Sequence, residues 1–118
     1  MSDDSVTIFH NPACGTSRTA LGMIEAAGYA PQVVPYLKAG WTKPQLKSLL
    51  RAMKAKPRDI LRLRGTPAEE LGLLDPGVSD EAILDAMVAH PVLVERPIVR
   101  TPKGTRLCRP AALVEALL

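Results

Sequence analysis

The residues best suited to chemistry surround Cys14, in the run His-Asn-Pro-Ala-Cys-Gly-Thr-Ser-Arg that spans residues 10–18. This run follows a short apolar stretch and precedes a segment with helical spacing, so Cys14 is predicted at the N-terminus of a helix. Backbone N–H groups converge there and favour negative charge, which lowers the pKa of a thiol from about 8.5 and also binds oxyanions. The pattern therefore predicts a nucleophilic thiolate beside an anion site.

A lone cysteine is more often a small buried hydrophobe than a nucleophile. Here Gly15, Thr16 and Ser17 follow Cys14, and these residues suit a tight turn and a helix cap rather than the wall of an apolar core. Ser17 stands where a Cys-x-x-Cys pair would have its second thiol, so a local disulfide is excluded and a redox reaction needs another thiol. That thiol is either external or Cys108, whose distance from Cys14 the sequence does not give.

Polar residues near Cys14 offer further candidates. His10 lies four residues before Cys14, where an imidazolium could lower the thiol pKa or a neutral imidazole could hold the loop. Asn11, Gly15 and Thr16 could supply hydrogen bonds to the anion, although Asn and Thr are also ordinary turn and cap residues.

The elements that must position Cys14 come first along the chain. Residues 6–9 predict a strand, residues 17–27 a helix that stops at Gly28, and residues 32–36 a second strand. A strand, helix and strand joined this closely favour a right-handed crossover with parallel pairing. Cys14 would then lie at the carboxyl end of the first strand, where ligands bind in such folds.

The rest of the chain predicts three helices, at 42–55, at 57–63, and from residue 79 to the position before Pro91. A β-hairpin over 98–108 and a last helix over 111–118 follow. The three helices fall within about 42–90. Since no linker or repeat separates them from the rest, we expect one globular domain over residues 1–118 with a helical insertion.

Composition bounds the class of protein. With 118 residues, 47% of them hydrophobic, the chain can form one core but not two ordinary domains. Two cysteines and no basic segment followed by an apolar one indicate a cytoplasmic protein, and no stretch approaches the roughly 18 apolar residues that cross a membrane. The net charge of +3 is scattered and aromatic residues make up 3%, which argues against nucleic-acid binding. We expect a monomer.

Several separated motifs make the chain similar to the glutaredoxin-linked arsenate reductases. In order they are the run 10–18, Ile60-Leu61-Arg62, His90-Pro91, Arg96-Pro97-Ile98-Val99, Thr101-Pro102, and residues 104–110. The predicted order of elements is also that of the thioredoxin-like fold. The resemblance implies an α/β, thioredoxin/glutaredoxin-like fold with a four-stranded mixed sheet and flanking helices.

The resemblance also implies a function and roles for individual residues. Arsenate would be reduced to arsenite through a covalent adduct on Cys14, which glutathione and glutaredoxin resolve; glutathione is a co-substrate, and neither a bound cofactor nor a metal is needed. Arg62, Arg96 and Arg109 would bind arsenate, for which the planar donor fork of arginine is well suited. Pro97 matches the cis-proline that the thioredoxin-like fold places beside its cysteine.

Two other classes compete with this interpretation. A cysteine phosphatase needs Cys-x5-Arg, whereas here Arg18 follows Cys14 after three residues and position 20 is alanine. A thioredoxin-like regulatory or orphan protein without arsenate turnover is the closer alternative. The joint presence of Cys14, Arg62, Arg96 and Arg109 favours the enzyme.

Overall fold

A computed structural model describes residues 5–118 of the protein. Contacts group this part of the chain into two compact units, the first made of the residues up to Ala39 together with Arg96–Leu118, and the second of Gly40–Glu95. The helices within residues 5–118 are all too short or too polar to cross a membrane.

The first unit is built on a four-stranded mixed sheet, which confirms the predicted fold class. Its strands are β1 (Thr7–Phe9), β2 (Gln32–Val34), β3 (Ile98–Thr101) and β4 (Gly104–Leu107), in the order β2-β1-β3-β4. β1 pairs in parallel with β2 and antiparallel with β3, and β3 pairs antiparallel with β4. The parallel pair is the predicted one, joined through helix α1 (Gly15–Ala26).

An apolar core holds α1 and the C-terminal segment together with the sheet. Its buried side chains are Val6, Ile8, Ala20, Ile24, Val99, Cys108, Ala111, Val114 and Leu117. Ile8 and Val99 face each other across the β1–β3 pair. Burial of one such aliphatic side chain contributes about 1.5–3 kcal/mol to the free energy of unfolding. The cluster therefore fixes β1, whose carboxyl end leads to Cys14.

The second strand ends earlier than the sequence predicts. It stops at Val34, and Tyr36 begins a short helix, α2 (Tyr36–Ala39). The carbonyl of Pro35 accepts hydrogen bonds from the N–H groups of Lys38 and Ala39 at 2.9 and 3.0 Å. The Tyr36 side chain is fully buried, so tertiary packing outweighs the strand preference of an aromatic residue.

The C-terminal segment of the first unit, predicted as a helix over 111–118, is a 3-10 helix over Ala111–Leu117. Two hydroxyl groups hold its last carbonyls: Thr101 Oγ1 donates to Leu117 O at 2.8 Å, and Tyr29 Oη to Leu118 O at 3.2 Å. These bonds satisfy carbonyls that a helix end leaves without partners.

The second unit contains two of the three predicted helices as α-helices, α3 (Lys43–Met53) and α4 (Asp80–Ala89). Thr42 caps α3 in a capping box with Gln45, and the Ser79 side chain accepts from the Ala82 N–H at the start of α4. The chain leaves α4 at His90, before Pro91, as predicted.

The third predicted helix, 57–63, is a 3-10 turn over Pro57–Ile60. After this turn the chain becomes extended, since Leu61 forms an antiparallel bridge with Val94. On either side of the bridge, the Arg62 N–H donates to Leu93 O at 2.7 Å and the Glu95 N–H to Ile60 O at 2.8 Å. Pairing with a distant segment therefore ends the helical turn.

Candidate functional site

Cys14 is the N-cap residue of α1, with extended backbone angles (φ −95°, ψ 122°). The loop before it is held by Asn11, whose carbonyl accepts from the Cys14 N–H at 3.0 Å and whose Oδ1 accepts from the Ala13 N–H at 2.9 Å. Asn11 is buried. The Asn11 side chain therefore stabilises the turn before Cys14. A contact between Asn11 and a bound anion stays a prediction.

The hydroxyl of Ser17 connects the strand end to the first turn of α1. Ser17 is fully buried, and its Oγ lies 2.6 Å from His10 Nδ1 and accepts from the Asn11 N–H at 3.1 Å. Because the Asn11 N–H already donates to this oxygen, the hydroxyl proton is available to Nδ1 of a neutral His10. We refer to His10, Asn11 and Ser17 with these two bonds as the Ser17 tether.

The pKa of the Cys14 thiol is lowered from 9.0 to about 7. Burial alone would raise it, but the backbone N–H of Ser17 and the side chains of Arg96 and Arg109 all stabilise the thiolate. At neutral pH a large part of Cys14 is therefore ionised. Cys14 lies at a helix N-terminus, as the sequence predicts, and its role as a nucleophile stays a prediction.

Two arginines of the first unit surround the sulfur. Arg109 Nη1 lies 3.7 Å from Cys14 Sγ and donates to the carbonyl of Arg96 at 2.9 Å, which joins the two arginines. Arg96 is 9% exposed, and its Nε and Nη1 have no hydrogen-bond partner among residues 5–118. Both arginines precede a cis-proline, Pro97 and Pro110 respectively.

A buried guanidinium with two unpaired nitrogens costs free energy unless an anion completes it. Arg96 therefore points to an oxyanion ligand beside Cys14. No signal in the sequence distinguished it from the other arginines except the family resemblance. The cis peptide at Pro110, unlike that at Pro97, is not predicted from the sequence.

His10 is buried, and burial together with the nearby charge of Arg18 lowers its pKa below 6.5. The imidazole is therefore neutral at pH 7. Its described contact is with Ser17 rather than with the sulfur. Of the two predicted roles for His10, the geometry supports the one in which a neutral ring holds the loop.

Arg62 belongs to the second unit. Its Nη1 donates to Glu95 Oε1 at 2.8 Å and its Nε to Arg64 O at 3.0 Å. A place for Arg62 at the oxyanion stays a prediction from the family resemblance.

The remaining candidates have clear surroundings. Gly15 and Thr16 form the first turn of α1, where backbone N–H groups have no partner within the helix. Cys108 lies in the core of the first unit, fully buried, and burial raises the pKa of its thiol to about 11. It is therefore a poor attacking thiol. Within residues 5–118, no group of three or more His, Cys, Asp or Glu side chains could hold a metal ion.

A thiolate at a helix N-terminus, two arginines and a four-stranded mixed sheet define a thioredoxin-like protein with a low-pKa thiol beside two cations. The family comparison is more specific: the model of the ArsC family matches residues 9–117, and this chain belongs to that family. The match covers both units.

Three proteins to which the chain is similar are arsenate reductases. The chain is 58% identical to the arsenate reductase ArsI1 of Synechocystis sp., over all of this chain and 82% of that protein. It is 46% identical to an arsenate reductase of Escherichia coli, over 97% of this chain and 81% of that protein. Among solved structures, an arsenate reductase from Vibrio cholerae superimposes with a TM-score of 0.92 at 39% identity, covering 98% of each chain.

Proposed function

We propose that this protein is an arsenate reductase that uses glutathione and glutaredoxin as electron donors. The observation that carries the proposal is the buried Arg96 guanidinium, two of whose nitrogens have no partner among residues 5–118, beside a thiol whose pKa is about 7. This combination provides both an oxyanion site and the nucleophile that attacks the bound oxyanion. Membership of the ArsC family supports arsenate as that oxyanion.

In the first step the Cys14 thiolate attacks arsenic, an As–S bond forms and an oxygen leaves as hydroxide or water; arsenic remains pentavalent. Like charges meet in this step, and Arg96 and Arg109 offset the repulsion. Arg62 is proposed as a third cation on the family resemblance. Asn11, Gly15 and Thr16 are proposed to contact the oxyanion through amide or backbone N–H groups.

Reduction follows in two further steps. Glutathione adds its sulfur to arsenic with loss of water. A glutaredoxin thiolate then attacks the glutathione sulfur, and the mixed disulfide of glutaredoxin and glutathione leaves. The bond between arsenic and the glutathione sulfur breaks, and its electron pair stays on arsenic, which becomes trivalent. Hydrolysis releases arsenite and restores the Cys14 thiolate. Because Cys108 is buried with a raised pKa, an external thiol is the better reductant.

The proposal is tested by arsenate-dependent oxidation of NADPH with glutathione, glutaredoxin and glutathione reductase. Cys14→Ser is expected to abolish turnover, and Cys108→Ala, the matched cysteine control, to retain it. Arg96→Ala is expected to reduce kcat/KM by about 10- to 150-fold, the equivalent of one charge-assisted hydrogen bond. Arg100→Ala is the matched arginine control, since Arg100 lies on β3, four residues after Arg96, and stacks over Phe9.

Turnover that persists in Cys14→Ser would contradict the mechanism. No turnover with any of several glutaredoxins, in a protein that still folds, would favour the regulatory or orphan alternative. We also propose that the protein is cytoplasmic, since glutathione and glutaredoxin keep thiols reduced there. We propose that it is a monomer.

A further inference from the structure

Arg18 is a cation close to Cys14 that the proposed mechanism does not use. It is the fourth residue of α1, and its own N–H donates to the Cys14 carbonyl at 3.0 Å. Side chains on a helix lean toward its N-terminus, so the Arg18 side chain folds back over the turn that carries Cys14. Its Nη1 donates to the Pro12 carbonyl at 2.9 Å, and its Nη2 lies 3.8 Å from the point where a Cβ on Gly15 would stand. The guanidinium is therefore anchored at this turn.

The charge of Arg18 has no counterion in the described part of the chain. Among residues 5–118, its Nε and Nη2 have no hydrogen-bond partner, and no carboxylate lies within ion-pair distance of it. The first turn of α1 contains no acidic residue. A positive charge at this end of a helix opposes the helix dipole, so the charge of Arg18 does not stabilise α1. Two nitrogens of an exposed guanidinium are thus left to a ligand from solution.

The surroundings of Arg18 differ from those of the two cations beside the sulfur. Arg96 and Arg109 stabilise the Cys14 thiolate, and Arg96 is buried, whereas Arg18 is exposed. The charge of Arg18 acts instead on His10, whose pKa it helps to lower. Arg18 is therefore better placed for a second reactant, which arrives from solvent, than for an oxyanion held against the sulfur.

We propose that Arg18 binds a carboxylate of glutathione and so docks the co-substrate at Cys14. Glutathione carries a carboxylate on each side of its cysteine, and a guanidinium with free donors matches the geometry of a carboxylate. This inference rests on the proposed function, since it takes glutathione as the co-substrate.

The role of Arg18 is to hold the thiol near the arsenic atom, and no bond of Arg18 changes. In that step the glutathione sulfur bonds to arsenic. One hydroxyl group of the arsenic centre takes up the thiol proton and leaves as water. Arsenic stays pentavalent.

The test measures how fast glutathione disulfide modifies Cys14 without arsenate or glutaredoxin. The Cys14 thiolate attacks one sulfur of the disulfide, the S–S bond breaks, and one glutathione thiolate leaves. The matched reagent is bis(2-hydroxyethyl) disulfide, which undergoes the same exchange but has no carboxylate. Mass spectrometry of the intact protein follows both reactions. Cys108 is fully buried and does not compete.

Arg18→Ala is expected to slow the reaction with glutathione disulfide by about 3- to 10-fold, between the effects of an exposed ion pair and of a charge-assisted hydrogen bond. The rate with the uncharged disulfide is expected to change by less than about twofold, because no carboxylate is involved. Arg18→Lys keeps the charge without the planar fork and should give an intermediate rate. Arg100→Ala is the control, since Arg100 is exposed and pairs with Thr7, at the end of β1 away from Cys14.

Two results of the exchange reaction would overturn the proposal. Equal slowing of both disulfides in Arg18→Ala would show that Arg18 only holds the loop through the Pro12 carbonyl. Unchanged rates with both would show that it binds no carboxylate.

Arsenate turnover gives a second measurement. Arg18→Ala is expected to raise the KM for glutathione by a factor similar to that in the exchange reaction, with the KM for arsenate unchanged. A raised KM for arsenate with an unchanged KM for glutathione would assign Arg18 to the oxyanion and overturn the proposal. Since the exchange reaction needs no arsenate, a wild type that distinguishes the two disulfides through Arg18 but has no arsenate turnover would contradict the proposed function alone.

Discussion

The reactivity of Cys14 depends on three donors that together outweigh the effect of burial. We predict that alkylation of Cys14 by iodoacetamide follows a titration with a midpoint near pH 7, the pKa of its thiol. Arg96→Ala and Arg109→Ala are each expected to move the midpoint to higher pH, because each removes a positive charge beside the thiolate. Stopped-flow alkylation across pH 5–10 measures it. A midpoint at pH 9 would show that the donors only cancel the effect of burial, and one above pH 9 that burial dominates.

The Ser17 tether predicts a different effect on the same thiol. Ser17→Ala removes the oxygen shared by His10 and Asn11, which leaves a buried N–H without an acceptor and loosens the turn whose backbone N–H faces the sulfur. We expect a higher Cys14 pKa and a kcat/KM at pH 7 lower by about 3- to 30-fold.

The same measurements on Ser17→Thr and Thr19→Ala complete this test. Ser17→Thr restores the hydroxyl and is expected to recover most of the activity. Thr19 lies on the same helix, and its hydroxyl donates only to the Gly15 carbonyl, so Thr19→Ala should leave the Cys14 titration unchanged. An unchanged titration in Ser17→Ala would sink the assigned role of the tether.

At this scale the sequence predicts the reactive residue but not its surroundings. The placement of Cys14 at a helix N-terminus follows from local patterns, because a turn-forming run and a helical period are both encoded nearby. The burial of Arg96 depends on contacts between residues far apart in the chain, which no spacing rule describes. The burial of Cys108 in the core likewise depends on packing.

Helix ends of the second unit carry an independent prediction. Thr42 accepts from the Gln45 N–H at 3.2 Å, and the Thr42 N–H donates to Gln45 Oε1 at 3.3 Å. Thr42→Ala is expected to lower the free energy of unfolding by about 1 kcal/mol, the usual effect of losing an N-cap oxygen. Urea denaturation measures this change. Thr42→Ser keeps the oxygen and should unfold at nearly the wild-type midpoint; an equal loss in both variants would argue against the cap.

Elements with strong local signals follow the sequence closely, and those set by distant pairing do not. Capping residues at Thr42 and Ser79 mark the starts of α3 and α4 correctly. The helix predicted at 57–63 becomes a turn followed by extended chain because Leu61 pairs with Val94, more than thirty residues away. Local propensity is a weak prior when such pairing is available.

At the scale of the whole molecule, the ionisation of Cys14 makes the free energy of unfolding depend on pH. The thiol pKa is about 7 in the folded chain, below its unperturbed value of 9.0. Between these pH values the folded state has released a proton that the unfolded state retains, so raising the pH favours folding. We predict that the melting temperature of the wild type rises relative to Cys14→Ser between pH 7 and 9. Below pH 7 the difference in melting temperature that is due to ionisation disappears. Scanning calorimetry of both proteins measures the two melting temperatures.

Cys108 titrates alike in both proteins of that comparison and so cancels from the difference. A gap that stays constant from pH 6 to pH 9 would show that ionisation of Cys14 is not linked to folding.

Because the two thiols differ in pKa and in exposure, the wild-type chain can be labelled at a single cysteine without mutation. With pKa values of about 7 and about 11, the ionised fractions of Cys14 and Cys108 at pH 8 differ by on the order of 1,000-fold. Cys108 is also fully buried. A maleimide dye or a crosslinker would therefore attach at Cys14 alone, giving one reporter per molecule at the N-terminus of α1.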